Sequence, residues 1–150
     1  MTALGCGLSA GALFAFSSFV MAALARLEPA QGIAAMNSIN VRAVTPAFMT
    51  ALFGSGVACV VLAIWAVAGW DDSFSSWLLA GSALYLAGPI GLTMTYHVPR
   101  NDALAAVGPI DPGAERHWRR YVSEWTRWNH VRSAAGLAAA GAFTVALSAG

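Results

Sequence analysis

The sequence predicts an all-α fold, a bundle of four transmembrane helices joined on the cytoplasmic side by connections that are themselves helical. Four stretches contain no Asp, Glu, Lys or Arg: residues 1–25, 43–70, 73–99 and 133–150. Their lengths approach or exceed the roughly 20 helical residues that cross a bilayer core. The chain is 58% hydrophobic and only 10% charged, whereas an ordinary soluble domain has roughly 25% charged residues. Charge-bearing hinges separate the four stretches, which disfavours a soluble protein with a large core.

We expect a single integral membrane domain over residues 1–150. The predicted spans cover residues 4–25, 47–70, 74–96 and 131–149, and two interfacial helices cover residues 30–43 and 114–130. Pro46 should mark the entry to the second span, and Pro99 should end the third. The helix that begins near Ala114 should run unbroken into the fourth span, because no Gly or Pro interrupts residues 114–135.

The distribution of arginine predicts the orientation. The connection after the third span carries six arginines, while the turn after the second carries two aspartates. The positive-inside rule then places the first and third connections in the cytoplasm and both termini outside. We expect a protein of the bacterial inner (plasma) membrane, in contact with lipid and not with nucleic acid, since the net charge is only +1. Gly7 and Gly11 form a GxxxG pair suited to close helix packing, and the glycine-rich spans predict a homo-oligomer.

The densest polar and aromatic segment lies just before the fourth span. Trp118, Tyr121, Trp125 and Trp128 recur at steps of three and four residues, so they form one stripe on a helix. An interfacial anchor explains these aromatics. It explains Asn129, His130 and Arg132 less well, because ionisable groups at membrane depth usually face a bundle interior or a wet cavity. On the first interfacial helix, Asn37 and Asn40 share a face with apolar residues.

Cofactor and metal motifs are weak in this sequence. His117 and His130 point roughly 140° apart on a straight helix, and no ligand spacing requires His97 to join either of them. The chain has no dinucleotide fingerprint, no Walker A loop and no strand–Ser–helix elbow. We therefore expect no organic cofactor and no metal site, although the sequence leaves a bound metal or haem open.

Three stretches carry a likeness to a known family. They are Gly11–Ser17 followed by Met36-Asn37-x-x-Asn40, then His97–Ala105, and finally Trp118–Arg132. On these residues the chain resembles the anthrone oxygenase family of small four-helix membrane proteins. It departs from the usual Asn-Val-Pro-Leu-Asn pattern of the second stretch, since His97 replaces the first Asn and Arg100 replaces the Leu. We expect this departure to change the polar lining of the pocket.

The resemblance implies oxygenation of an anthrone to an anthraquinone by O2, with O2 as co-substrate and no organic cofactor. A base must then remove a methylene proton, and His130 is the first candidate and His97 the second, because histidine exchanges protons near neutral pH. Asn129, Arg132 and Asn101 are candidates to stabilise the enolate oxygen. Substrate-binding candidates for the hydrophobic aromatic molecule are Trp118, Tyr121, Trp125, Trp128, Asn37 and Asn40.

Two other classes of function stay open on the sequence alone. A non-catalytic membrane module, either a small-molecule binder or an oligomeric packing partner, suits the small size and the many glycines. A channel or transporter is less well supported, because no charged residue lies inside the first three predicted spans and no inverted halves are visible.

Overall fold

The computed structural model describes residues 1–70, 72–108 and 111–149, and this part of the chain is helical without any strand. Five long helices follow one another: α1 (Thr2–Leu24), α2 (Pro29–Arg42), α3 (Pro46–Ala68), α4 (Asp72–Tyr85 continuing through Leu86–His97 to Val98–Ala105) and α5 (Ala114–Ala149). Among the described residues, α1, α3, α4 and α5 are long and apolar enough to cross a membrane. The predicted all-α, four-span fold is therefore confirmed.

The helix boundaries follow from local chemistry. The hydroxyl oxygen of Thr45 accepts a hydrogen bond from the Phe48 backbone N–H (3.2 Å), and Pro46 occupies the first helical position of α3. This confirms Pro46 as the entry to the second span, because proline lacks only an N–H that would have no partner there. The helix predicted to begin near Ala114 and continue without a break into the fourth span is also confirmed, as α5.

The prediction that Pro99 ends the third span is wrong. The stretch Leu86–His97 of α4 is π-helical, and the Val98 N–H bonds the carbonyl of Thr93, five residues back. The α-helical register then resumes at Val98, and Pro99 lies in the first turn of this last part. A proline is tolerated in a first helical turn, so α4 continues to Ala105.

The fourth span is the centre of the packing. Helix α5 packs against α1 and α4, α3 packs against α4 and α1, and α2 lies against α5 and the last turns of α4. Buried apolar side chains form two clusters, one around Cys6, Tyr85 and Phe143, the other around Met36, Trp118 and Trp125. The two clusters lie on different segments of α1 and α5. The polar residues described below lie between these segments in sequence on both helices.

Small residues allow α5 to approach its neighbours closely, but not at the predicted GxxxG pair. A Cβ added at Gly136 would lie 2.9 Å from the Cβ of Ala10 and 3.1 Å from the Cγ of Pro89. By contrast, nothing lies within 4 Å of such an atom at Gly11, and the nearest atom at Gly7 is 3.9 Å away. Van der Waals contact at Gly136 therefore holds α5 against α1 and α4.

We expect Gly136→Leu to destabilise the bundle by about 1–3 kcal/mol, because an overpacked interface must shift backbone. Gly141→Leu on the same helix is the matched control, since a Cβ there meets nothing within 4 Å. Reversible unfolding in mixed micelles would measure both variants. Equal stability of the two would show that the contact of Gly136 with Ala10 and Pro89 does not limit the packing.

Candidate functional site

A cavity of about 200 Å³ lies among all five helices. It is somewhat larger than an engineered apolar cavity of about 150 Å³ that holds benzene. Most of its wall is apolar, and its polar side chains are Asn40, Thr93, His97, Asn101 and Arg132. An apolar pocket with a few convergent polar groups is the usual form of a small-molecule site.

Each π-helical stretch of the chain contributes to this wall. The stretches are Phe16–Val20 in α1, Thr50–Gly54 in α3 and Leu86–His97 in α4. Phe16 comes from the first, Leu52 and Phe53 from the second, and Thr93 and His97 from the third. Single π-helical turns are often found at functional sites because they change the direction of side chains within a helix.

Arg132 is buried, with 5% of its surface exposed, and it lies at the fourth span. Its Nε donates to Oδ1 of Asn129 (2.6 Å), and its Nη1 donates to the hydroxyl of Thr93 (3.0 Å). Within residues 1–70, 72–108 and 111–149, no carboxylate lies within ion-pair distance of this guanidinium. A guanidinium has five N–H donors, so Arg132 brings unused donors and an uncompensated positive charge to the cavity wall.

Asn129 holds Arg132 in place. Its side chain is fully buried, and its amide nitrogen donates to the Leu13 carbonyl (2.6 Å) and to the hydroxyl of Ser17. Its amide oxygen accepts the hydrogen bond from Arg132. Both amide hydrogens and the oxygen are thus used, and the side chain links α1 to the guanidinium of α5.

His97 is almost fully buried and lines the cavity beside Trp125. Its Nδ1 lies 3.0 Å from the Leu92 carbonyl and its Nε2 lies 3.4 Å from the Trp125 carbonyl. A neutral imidazole has one N–H, and the shorter contact favours placing it on Nδ1. Nε2 is then unprotonated and lies opposite the Trp125 carbonyl, which would accept the N–H that forms when Nε2 takes up a proton.

Asn101 lines the cavity and holds two aromatic side chains with its amide oxygen. Its Oδ1 accepts hydrogen bonds from the Tyr121 hydroxyl (2.7 Å) and from the indole Nε1 of Trp125 (3.1 Å). Because an indole nitrogen can only donate, the atom facing it must be the amide oxygen. The NH2 group therefore points away from these two aromatics, and Asn101 is one of the residues that line the cavity.

The structure brings part of the predicted site together. His97, Asn101, Arg132, Trp125 and Asn40 line one cavity. Asn129 lies directly behind Arg132, so it supports the site without forming its wall.

The other predicted site residues lie elsewhere. His130 is exposed and borders a separate cleft between α1 and α5. Trp118 stacks on Tyr121 (5.8 Å between ring centroids), and both are buried without lining the cavity. Trp128 is partly exposed and packs on Tyr96 (5.1 Å between centroids). Asn37 does not line the cavity.

The two departures from the family pattern have different positions. His97 lies in the cavity wall, as expected for a change in its polar lining. Arg100 does not line the cavity. Its guanidinium lies 3.7 Å from the centre of the Tyr96 ring and 3.4 Å from a carboxylate oxygen of Glu124.

Sequence reasoning missed Thr93 and Ser17, which complete the hydrogen bonding of Arg132 and Asn129. Both are hydroxyl residues inside apolar runs, and each bonds a carbonyl four residues earlier, Pro89 and Leu13 respectively. That local bond is the ordinary state of Ser and Thr in membrane helices, so no sequence signal separates these two from the others. In the described part of the chain, no three His, Cys, Asp or Glu side chains are grouped as metal ligands.

We expect Asn129→Ala to lower stability by about 2 kcal/mol or more, because it leaves the Nε of Arg132 buried without a partner and removes the link from α5 to the Leu13 carbonyl and the Ser17 hydroxyl of α1. Thr144→Ala, also on α5, is the control, since the Thr144 hydroxyl is exposed and bonds only its own helix. Unfolding in mixed micelles would measure the difference. A loss no larger than that of Thr144→Ala would contradict the role assigned to Asn129.

Comparison with known proteins yields one match. A family model described as anthrone oxygenase matches residues 46–142, which is more than half of the chain and includes α3, α4 and most of α5. No curated protein and no solved structure matches.

Proposed function

This chain belongs to the anthrone oxygenase family, and from that premise we propose that it is a membrane-embedded oxygenase. In this proposal it uses O2 to convert a hydrophobic polycyclic phenol or anthrone-like substrate into a quinone. The observation that carries the proposal is the buried guanidinium of Arg132, which lacks a carboxylate partner in the described structure and faces an apolar cavity together with His97 and Asn101.

The first step is removal of a proton from the methylene carbon between the aromatic rings. We assign the base to His97, because it lines the cavity and its Nε2 carries no proton when Nδ1 donates to the Leu92 carbonyl. The sequence favoured His130, but that side chain is exposed and does not line the cavity. A general base must come within hydrogen-bond reach of the proton it removes.

The second requirement is stabilisation of the anion that forms. Loss of the proton leaves a phenolate-like enolate whose charge is concentrated on oxygen. Arg132 and the amide groups of Asn40 and Asn101 supply N–H donors on the cavity wall, and the amide nitrogen of Asn40 is buried without a hydrogen-bond partner in the described structure. A donor held in position before the reaction stabilises such an anion most strongly where water is excluded. The hydrogen bonds of Arg132 to Asn129 and Thr93 hold it in this way.

The oxidation then needs only O2. The enolate passes one electron to O2, and the resulting superoxide combines with the substrate radical at the former methylene carbon. The peroxide takes up a proton and the carbon loses its remaining hydrogen as the O–O bond breaks, which releases water and leaves the second quinone carbonyl. In sum, the methylene group and O2 become a carbonyl group and water.

The proposal also includes the environment of the enzyme. We place it in the bacterial inner membrane with both termini outside, on the basis of the arginine distribution. A homo-oligomer remains a prediction. A small-molecule binder without turnover is the second candidate, which the same cavity would support.

We expect His97→Ala to lower kcat by about 10²–10⁴, the usual contribution of a positioned base. His130→Ala is the matched variant and should keep the parent rate, because His130 lies outside the cavity. The assay is O2 consumption together with quinone absorbance, with 1,8-dihydroxyanthrone as substrate. A loss confined to His130→Ala would return the role of base to that residue, and binding of the substrate without turnover in the parent protein would favour the binder.

We expect Arg132→Leu to lower kcat by about 10²–10³, the effect of losing one oxyanion donor. Its stability should fall only modestly, because removal of a buried charge that lacks a counter-ion offsets part of the cost of leaving the Asn129 oxygen without its donor. Arg127→Leu is the control, since Arg127 is exposed on the same helix. Turnover and unfolding are measured on the same samples, which separates catalysis from structure. If the loss of turnover is matched by a loss of folded protein, Arg132 is a structural residue.

A further inference from the structure

The mouth of the cavity is apolar and faces the side of the bundle. Three of the residues that line the cavity are exposed, and all three are apolar: Val44 (67% exposed), Phe53 (37%) and Val98 (39%). They come from the α2–α3 junction, α3 and α4. The charged and polar groups of the cavity, by contrast, are buried or half-buried.

The position of these residues places the mouth at membrane depth. Helix α3 begins at Pro46 and has 23 residues, a length of about 35 Å, which spans a bilayer core of roughly 30 Å. Val44 lies two residues before this start, and Phe53 lies seven residues after it, or about 10 Å along the helix. The opening therefore extends from the membrane–water interface to the depth of the lipid acyl chains.

We propose that the ligand enters this cavity sideways from the lipid phase, between the start of α3 and the last part of α4 that begins at Val98. The occupant is a flat aromatic molecule dissolved in the bilayer, whose acidic oxygen is drawn towards Arg132 at the inner end. Entry from water would favour a mouth with polar or charged side chains, and Val44, Phe53 and Val98 provide none. The inference rests on the proposed function for the identity of the ligand, but not for its route.

The test uses a ligand that cannot leave the bilayer and cannot be oxidised. Stearic acid that carries a 9-anthroyloxy ring along its chain places a tricyclic aromatic inside the membrane. With full-length protein in lipid vesicles, energy transfer from tryptophan to this ring should saturate, and 1,8-dihydroxyanthraquinone should displace it. Anthraquinone-2,6-disulfonate, which stays in water, should neither bind nor compete.

Matched variants locate the route. Val44→Phe should slow association of the lipid-confined probe by about tenfold, within the range over which association rates vary among variants of one site. Val41→Phe is the control, because Val41 lies near the end of α2, three residues before Val44, and is 75% exposed but does not line the cavity. Both positions are exposed, so neither variant should change the unfolding midpoint.

The outcomes separate this inference from the proposed function. Saturable binding of the lipid-confined probe that is slowed only by Val44→Phe supports lateral entry, whether or not the protein oxidises 1,8-dihydroxyanthrone. Absence of saturable transfer, equal rates for the two variants, or binding of the disulfonate would overturn lateral entry, even if turnover is observed.

Discussion

The burial of one positive charge organises this protein. Arg132 has no carboxylate partner among the described residues, and a charge at membrane depth is costly unless polar groups surround it. The chain meets this constraint with neutral groups from three helices. Thr93 on α4 and Asn129 on α5 accept hydrogen bonds from the guanidinium. Asn129 in turn donates to the Leu13 carbonyl and the Ser17 hydroxyl of α1. Neutral partners orient the guanidinium but leave its charge available to a bound anion.

The cavity depends on a local change in backbone hydrogen bonding. In regular α-helices every carbonyl bonds four residues ahead, and side chains from neighbouring helices fill the space between them. Each π-helical stretch widens its helix by one residue per turn. In α4 the widening begins near Pro89, whose ring removes an N–H from the ladder, and extends to His97. The histidine ring then bonds the carbonyl of Leu92, five residues back, so its position is a direct result of the π-helical register.

Charge, hydropathy and periodicity were enough to predict four helices able to span a membrane, the helix α2 and the continuous α5. Helix periodicity also identified Asn129 and Arg132, because a polar pair at the edge of an apolar run has few structural explanations. The sequence favoured His130 over His97 as the base. His130 is adjacent to Asn129 in sequence, but one residue along an α-helix is a rotation of about 100°, and this turns His130 away from the cavity. His97 reaches Trp125 from the π-helical stretch of α4, which periodicity does not predict.

The length of α5 has a mechanical consequence. It is a single helix of 36 residues, about 54 Å long, which exceeds the thickness of a bilayer core. Its first turns carry ion pairs such as Arg119 with Glu115, and the turns near its middle carry Asn129 and Arg132. The charge-free part of α5, residues 133–149, is only about 26 Å long and slightly shorter than a bilayer core of roughly 30 Å. A hydrophobic stretch shorter than the core is accommodated by thinning of the bilayer or by movement of the residues that flank it. Arg132 is the flanking residue, which makes lipid composition a variable of the site geometry.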